Sequence, residues 1–82
     1  MSHDTPITVD ARGHRCPVPS LRLARAMDQA GPGSRLILLA TDPMARIDVP
    51  FLMAECGGAV ISITESDGLI TLMVETPAAT TG

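Results

Sequence analysis

The alternation of apolar and polar positions divides the chain into six segments. Residues 7–10 alternate as a short strand does, and residues 35–40 are a near-continuous apolar run that predicts a central strand. Residues 60–65 and 69–75 alternate again, and the Asp-Gly pair at 67–68 is a strong hairpin signal. The pattern therefore predicts four strands, of which the last two form an antiparallel hairpin.

Residues 17–30 have helical periodicity, and a Gly-Pro-Gly sequence directly after them predicts where the helix ends. One face of this helix collects small and apolar residues, namely Ser20, Leu23, Ala24, Met27 and Ala30.

A second helical segment follows the apolar strand. Thr41-Asp42-Pro43 predicts a short turn, and Pro50 is expected to break any longer helix that starts there. We therefore expect a new helix capped near Asp48. Its apolar stripe consists of Val49, Leu52, Met53 and Cys56.

The order β-α-β-α-β-β predicts an α+β fold, a two-layer sandwich with two helices packed on one face of a mixed four-stranded sheet. The length suits a single domain over residues 1–82, with residues 76–82 as a loose tail. In the last two strands the inward positions are expected to be Ile61, Ile63, Ile70, Leu72 and Val74.

Composition excludes several classes of function. A net charge of −3 and a single aromatic residue argue against a nucleic-acid-binding domain, which needs basic patches and stacking platforms. The two cysteines and two histidines show no paired metal-ligand spacing, so we expect no metal and no cofactor. The N-terminus does not resemble a signal peptide and no run is long enough to span a membrane, which favours the cytoplasm.

Cys16 lies where a loop becomes a helix, within the stretch "RCPVP". Unpaired N–H groups at a helix start, together with Arg12 and Arg15, favour an anionic sulfur, so we expect a modestly lowered thiol pKa. Pro17 and Pro19 suit the first turn and stiffen it, although they remove N–H donors. On local physics alone, a reactive thiol and a simply buried cysteine both stay open.

Cys56 has a different setting, because its place on the apolar stripe favours core packing. Three other residues fall on outward helix faces. Val18 and Arg22 could form a docking patch beside Cys16, although Arg22 also suits an ordinary solvated face. Phe51 falls opposite the stripe, where it either contacts a partner or packs against the neighbouring helix.

Two stretches resemble signatures of the TusA (SirA-like) family of small sulfur-carrier proteins. "VDARGHRCPVP" is similar to the family pattern D-x-x-G-x-x-C-P-x-P, and "ATDPMARIDVP" is similar to a D-P pair followed by a D-[IV]-P step. Some members have a cysteine three residues after that last proline, where this chain has Met53. The residues that match are Gly13, Cys16, Pro17, Pro19, Asp42, Pro43, Asp48 and Pro50.

The resemblance implies that Cys16 accepts sulfane sulfur as a persulfide and relays it to another protein. The implied donors are a cysteine desulfurase or a rhodanese-type sulfurtransferase. Implied acceptors serve tRNA thiolation, molybdenum-cofactor maturation or sulfur oxidation. We expect Arg12, Gly13, Arg15, Pro17 and Pro19 to shape the site, and the partner enzymes to supply any further catalytic groups.

Two other functions stay open. A dithiol redox protein would cycle a Cys16–Cys56 disulfide, which requires the two Cα atoms to approach within about 7 Å. A non-catalytic interaction or regulatory module would bind a partner through the apolar strand at residues 35–40, if one face of the sheet is open.

Overall fold

The computed structural model describes residues 5–78 as a two-layer α+β sandwich, which confirms the predicted fold class and element order. The elements in chain order are β1 Ile7–Ala11, α1 Val18–Ala30, β2 Arg35–Ala40, α2 Ala45–Cys56, β3 Ala59–Ser66 and β4 Leu69–Glu75.

The four strands form one mixed sheet in the order β1-β2-β4-β3. β1 and β2 are parallel, as two strands joined through a helix are, and the other pairs are antiparallel. The hairpin turn is where the sequence predicts it. Asp67 and Gly68 have φ of 52° and 81°, the left-handed pair that a type I′ turn requires.

The core lies between the helices and one face of the sheet. Register places alternate residues of β2 and β4 on the same face, and each helix covers them with three buried residues. On the opposite face, Ile37, Leu39 and Met73 are only half-buried. The main buried side chains are Leu23, Met27, Leu36, Leu38, Val49, Met53, Ile70, Leu72 and Val74.

The second helical segment forms one helix, so the break predicted at Pro50 was wrong. Pro50 has no N–H to donate to the carbonyl of Arg46, which removes one helical hydrogen bond. Ala45, Val49 and Met53 are buried in a line that continues past that gap. Packing on both sides of the proline outweighs the loss of a single bond.

The inward positions predicted for β4 are buried, but those predicted for β3 are not. Ile61 and Ile63 are 43% and 39% exposed, because β3 is the edge strand of the sheet. Ile63 pairs with buried Leu72, but Ile63 itself lies outside the core. Ile61 falls at an irregularity between Val60 and Ser62, where one residue has no partner on β4.

The chain after β4 is better anchored than the predicted loose tail. Thr76 is buried, and its N–H donates to the carbonyl of Ser34 over 2.8 Å. Its hydroxyl donates to the carbonyl of Gly31, also over 2.8 Å. The prediction of a loose tail over residues 76–82 was therefore wrong for Thr76. Residues 79–82 lie outside the part of the chain that the structure describes.

Gly58, which connects α2 to β3, is expected to tolerate no side chain. A Cβ added there would lie 2.6 Å from the carbonyl oxygen of Glu75 and would also overlap the end of the Met53 side chain. Gly58→Ala should therefore lower the free energy of unfolding by about 1–3 kcal/mol in urea titration. The exposed neighbour provides the control, because Ala59→Ser should change stability by less than about 0.5 kcal/mol. Equal losses of stability in the two variants would contradict the close approach of Glu75 and Met53 to residue 58.

Candidate functional site

The loop that contains Cys16 is tied to the loop between β2 and α2. The backbone N–H of Cys16 donates to Oδ2 of Asp42 over 2.8 Å, and the N–H of Gly13 donates to Oγ1 of Thr41 over 2.9 Å. Gly13 has a φ of +82°, a conformation that glycine adopts without strain. Because β1 and β2 are parallel neighbours, the loops after both strands leave from the same edge of the sheet. The two sequence signatures therefore meet in space.

Asp42 is the carboxylate that joins these loops. Its second oxygen accepts the N–H of Met44 over 3.0 Å, just before α2 begins. These two backbone hydrogen bonds, to Met44 and to Cys16, and the nearby charge of Arg15 lower the pKa of Asp42. At neutral pH this carboxylate is ionised and holds both loops.

The two prolines occupy the start of α1, as the sequence predicts. Pro17 is at the N-cap position, Pro19 lies in the first turn, and the side chain of Pro19 is buried. The N–H of Val18 is occupied by the carbonyl of Arg15 over 3.0 Å. Since prolines have no N–H, few free donors remain at this helix start to stabilise an anionic sulfur.

The Cys16 thiol is partly buried against the core, and its pKa is raised to about 11. Burial is the largest cause, followed by a hydrogen bond to the Asp48 carboxylate and by the negative charges of Asp48 and Asp42. The predicted lowering of this pKa was therefore wrong in direction. The helix start offers few donors, while the negative charges of two carboxylates from the second signature disfavour the thiolate.

Arg12 does not supply the positive charge that the sequence suggested. Its guanidinium binds the Asp10 side chain through two hydrogen bonds, of 2.7 and 2.9 Å. These bonds raise the pKa of Arg12 and, together with the Arg12 backbone N–H, lower the pKa of Asp10 to about 2. Arg15 lies nearer the site, where it lines a shallow groove with His14 and Asp42.

Exposed apolar side chains stand on both helices. Val18 is on the outward face as predicted, and Phe51 is 68% exposed, which decides against its packing between the helices. Sequence reasoning missed Leu21 and Ile47, each 63% exposed. Helical spacing could have identified them, because Leu21 follows Val18 by three positions and Ile47 precedes Phe51 by four. Residues at these spacings share one face of a helix. We call these four side chains the outer apolar residues.

Arg22 is exposed as well, on the same helix. Its guanidinium donates to the carbonyl of Asp10 over 3.4 Å, which turns it toward β1.

Cys56 is exposed, so its predicted place in the core was wrong. It is the last residue of α2, and its thiol donates to the carbonyl of Met53 over 3.6 Å. It lines an open groove of about 500 Å³ together with Met27 and Leu52. The apolar stripe of α2 continues to this position, but the core does not reach it.

The two thiols are far apart. Cys16 precedes the first residue of α1, whereas Cys56 lines a groove with Met27 near the other end of that helix. From Val18 to Met27 the helix rises by about 14 Å. A disulfide needs Cα atoms within about 7 Å, and both cysteines are free. This geometry speaks against a redox cycle between them.

Within residues 5–78, no group of three His, Cys, Asp or Glu side chains is arranged to hold a metal ion. Neither helix in that range has the length and apolar character needed to cross a membrane.

Comparison with known proteins points to one family. The family model described as Sulfurtransferase TusA matches residues 7–76. A Neisseria meningitidis serogroup A protein, named as a candidate sulfur carrier, is 37% identical over 68 residues, or 83% of this chain and 92% of the relative. The sulfur carrier protein TusA of Pseudomonas aeruginosa (strain UCBPP-PA14) is 32% identical over 68 residues, covering 83% of this chain and 86% of the relative.

A solved structure has the same architecture. The crystal structure of the SirA-like protein from Desulfitobacterium hafniense matches with a TM-score of 0.78 and 26% identity. The match covers 87% of this chain and 97% of that chain.

The raised pKa predicts that Cys16 is a slow nucleophile in the free protein. In Cys56→Ser protein at pH 8, iodoacetamide should alkylate Cys16 more slowly in the folded chain than in urea, by roughly tenfold or more. The reason is that an unfolded cysteine has a pKa near 8.5. Intact mass against time measures both rates, and the folded rate should still be rising at pH 10.

The exposed Cys56, followed in Cys16→Ser protein, is the control for reagent access. Alkylation of Cys16 that is as fast in the folded as in the unfolded chain would contradict the raised pKa.

Proposed function

The chain belongs to the TusA family of sulfur carriers, and we propose that it accepts sulfane sulfur as a persulfide on Cys16 and relays it to a partner protein. The observation that most supports this role for Cys16 is its 2.8 Å hydrogen bond to Asp42, which builds one site from two separate signatures. No other residue of that site is proposed to be catalytic. A carrier needs one accessible sulfur, since the donor and acceptor enzymes supply the catalytic groups.

The transfer is a thiol–persulfide exchange. Sγ of Cys16 attacks the terminal sulfur of a donor persulfide, the donor's S–S bond breaks, and a new S–S bond forms on Cys16. The donor cysteine leaves as a thiolate and takes up the proton that Cys16 has lost. The exchange needs no external oxidant or reductant. Release to an acceptor thiol is the same reaction with the roles reversed.

The donor in this proposal is a cysteine desulfurase or a rhodanese-type sulfurtransferase, acting in the reducing cytoplasm, where thiols stay reduced. The sulfur would then serve tRNA thiolation, molybdenum-cofactor maturation or sulfur oxidation, each through an acceptor protein. The chain itself is not expected to bind the nucleic acid, because its net charge is −3.

Partner proteins are proposed to dock on the outer apolar residues. Val18 and Leu21 on α1, the helix that follows Cys16, and Ile47 and Phe51 on α2 expose apolar surface. Exposed apolar side chains near a reactive group suit a transient protein contact, in which a few anchors supply most of the affinity. Arg22 could extend this contact at its edge.

A second function is supported by the uncovered face of the sheet. Ile37, Leu39 and Met73 are half-buried there, and no helix in residues 5–78 packs over them. An interaction or regulatory module could bind a partner on this face without using Cys16. Partner binding and full biological activity in Cys16→Ser would favour that module over the carrier.

Sulfur uptake tests the carrier directly. Incubation with a cysteine desulfurase and L-cysteine, or with a rhodanese and thiosulfate, should add one sulfur atom to the intact mass. The added sulfur should be absent in Cys16→Ser, because its acceptor is gone, and present in Cys56→Ser. It should be removed by a reductant, as a persulfide is. No uptake from either type of donor, or uptake retained in Cys16→Ser, would refute the proposal.

A charged residue in the outer apolar surface should weaken docking. Phe51→Glu and Leu21→Glu should each raise the donor concentration needed for half-maximal uptake about tenfold, as expected when an interface anchor is lost. Ile61→Glu is the control, since Ile61 is an exposed apolar residue too, at 43% exposure, but lies on the edge strand β3. An equal effect of all three variants would place the docking surface elsewhere.

A further inference from the structure

The side of β1 that faces away from β2 is open, and we call it the β1 edge. In the strand order β1-β2-β4-β3, no strand within residues 5–78 pairs with β1 on that side. The backbone N–H and C=O groups that an edge strand turns away from its sheet can bond to an added strand. β1 has no proline, no lysine and no irregularity in its pairing, three features with which edge strands commonly avoid such addition.

A groove of about 370 Å³ runs beside the β1 edge, between the strand and α1. Val9 lines it from the strand, and Arg22, Arg25, Ala26 and Gln29 line it from the helix. The four helical residues follow the i, i+3, i+4, i+7 spacing of a single helix face, so they form one stripe along α1. A strand added to the β1 edge would lie against this stripe.

The groove is basic. Arg22 and Arg25 are both exposed, and the guanidinium of Arg22 donates to the carbonyl of Asp10 over 3.4 Å, which places it against β1. Neither of the two arginines belongs to an ion pair within the described residues 5–78. Guanidinium groups bind carboxylates well, because their donors match the two oxygens. Charge complementarity therefore selects an acidic occupant.

The side chains of β1 alternate between two faces of different charge. Register places Val9 opposite buried Leu38, on the face that the helices cover, whereas Thr8 and Asp10 lie on the uncovered face. Alternate side chains of an added strand would point toward the arginines, and those between them toward the uncovered face. Carboxylates suit the first set. Small neutral side chains suit the second set, because the Asp10 carboxylate lies on that face.

The spacing of the two arginines matches carboxylates on one strand. Arg22 and Arg25 are separated by about 4.5 Å along the axis of α1. Side chains on the same face of a strand are separated by about 6.7 Å. The difference of roughly 2 Å is small for guanidiniums on long flexible side chains, so each arginine can bind its own carboxylate.

We propose that the β1 edge binds an extended acidic segment of a partner protein, which adds to the sheet as a fifth strand and presents alternate carboxylates to Arg22 and Arg25. Backbone hydrogen bonds to β1 hold the segment, and the two arginines select its charge. The site lies on the flank of α1 and does not use Cys16, so it goes beyond the proposed sulfur transfer.

A synthetic peptide tests the site. The probe is Thr-Glu-Thr-Glu-Thr-Glu-Thr, acetylated and amidated, which is titrated into ¹⁵N-labelled protein and followed by NMR. The amide signals of β1 should shift, whereas those of the other edge strand, β3, should not. Raising the salt concentration from about 50 to 500 mM should weaken the binding, because salt screens exposed charges.

Modified peptides separate strand addition from charge attraction. Two versions are N-methylated, one on every threonine and the other on every glutamate. All residues of one strand face turn their N–H groups to the same edge, so one version should bind about fivefold or more weakly and the other like the parent peptide. A third peptide, Glu-Thr-Thr-Glu-Thr-Thr-Glu, has the same number of carboxylates but none at alternate positions. It should bind roughly threefold more weakly.

Variants of the protein test the two arginines. Arg22→Gln and Arg25→Gln should each weaken binding of the alternating peptide by roughly two- to fivefold, because each removes one exposed charge pair. Arg35→Gln is the matched control. Arg35 is an exposed arginine too, but alternation along β2 places it on the uncovered face of the sheet. Its loss should change the affinity by less than about twofold. Circular dichroism checks that each variant is folded.

Three results would overturn the inference. The first is the absence of shifts at the β1 amides, or equal affinity of both N-methylated peptides and the parent. The second is binding of an oligothymidylate as tight as that of the alternating peptide, because the groove would then be a general anion site. The third is a shift of the β1 amides on dilution of the free protein, because a second copy would then occupy the edge. These readouts involve no sulfur donor, so they can fail while sulfur uptake on Cys16 succeeds.

Discussion

The hydrogen bond from the Cys16 N–H to the Asp42 carboxylate is the constraint on which the site depends. It fixes the loop before α1 against the loop before α2, and it is possible because the parallel strands β1 and β2 end at the same edge of the sheet. The same carboxylate accepts the N–H of Met44 as α2 begins. One ionised side chain thus positions the thiol, the start of the second helix and Asp48, which follows on that helix.

The negative charges of Asp48 and Asp42 make the surroundings of the Cys16 thiol acidic. A thiol with a raised pKa resists adventitious alkylation and oxidation, because the thiolate is the reactive form. The exposed Leu21, Ile47 and Phe51 belong to the outer apolar residues, on which a partner protein is proposed to dock.

Much of the fold was predictable because the local signals agreed with the tertiary structure. Errors arose where tertiary packing decides. Pro50 is a helix breaker in isolation, yet buried Val49 and Met53 hold α2 together across it. Cys56 continues an apolar stripe, but periodicity does not tell where the core ends. The inward position predicted for Ile61 was wrong for a related reason, because alternation alone does not distinguish an edge strand from a central one.

The sequence by itself determined the order of the elements, the hairpin turn after β3 and the prolines at the start of α1, since each rests on neighbours along the chain. Only the tertiary structure decided the protonation of Cys16. Burial is the largest cause of the raised pKa of Cys16, and the carboxylates that add to it come from a segment that is distant in sequence. The predicted helix-start effect was local, whereas burial and Asp48 act through the fold.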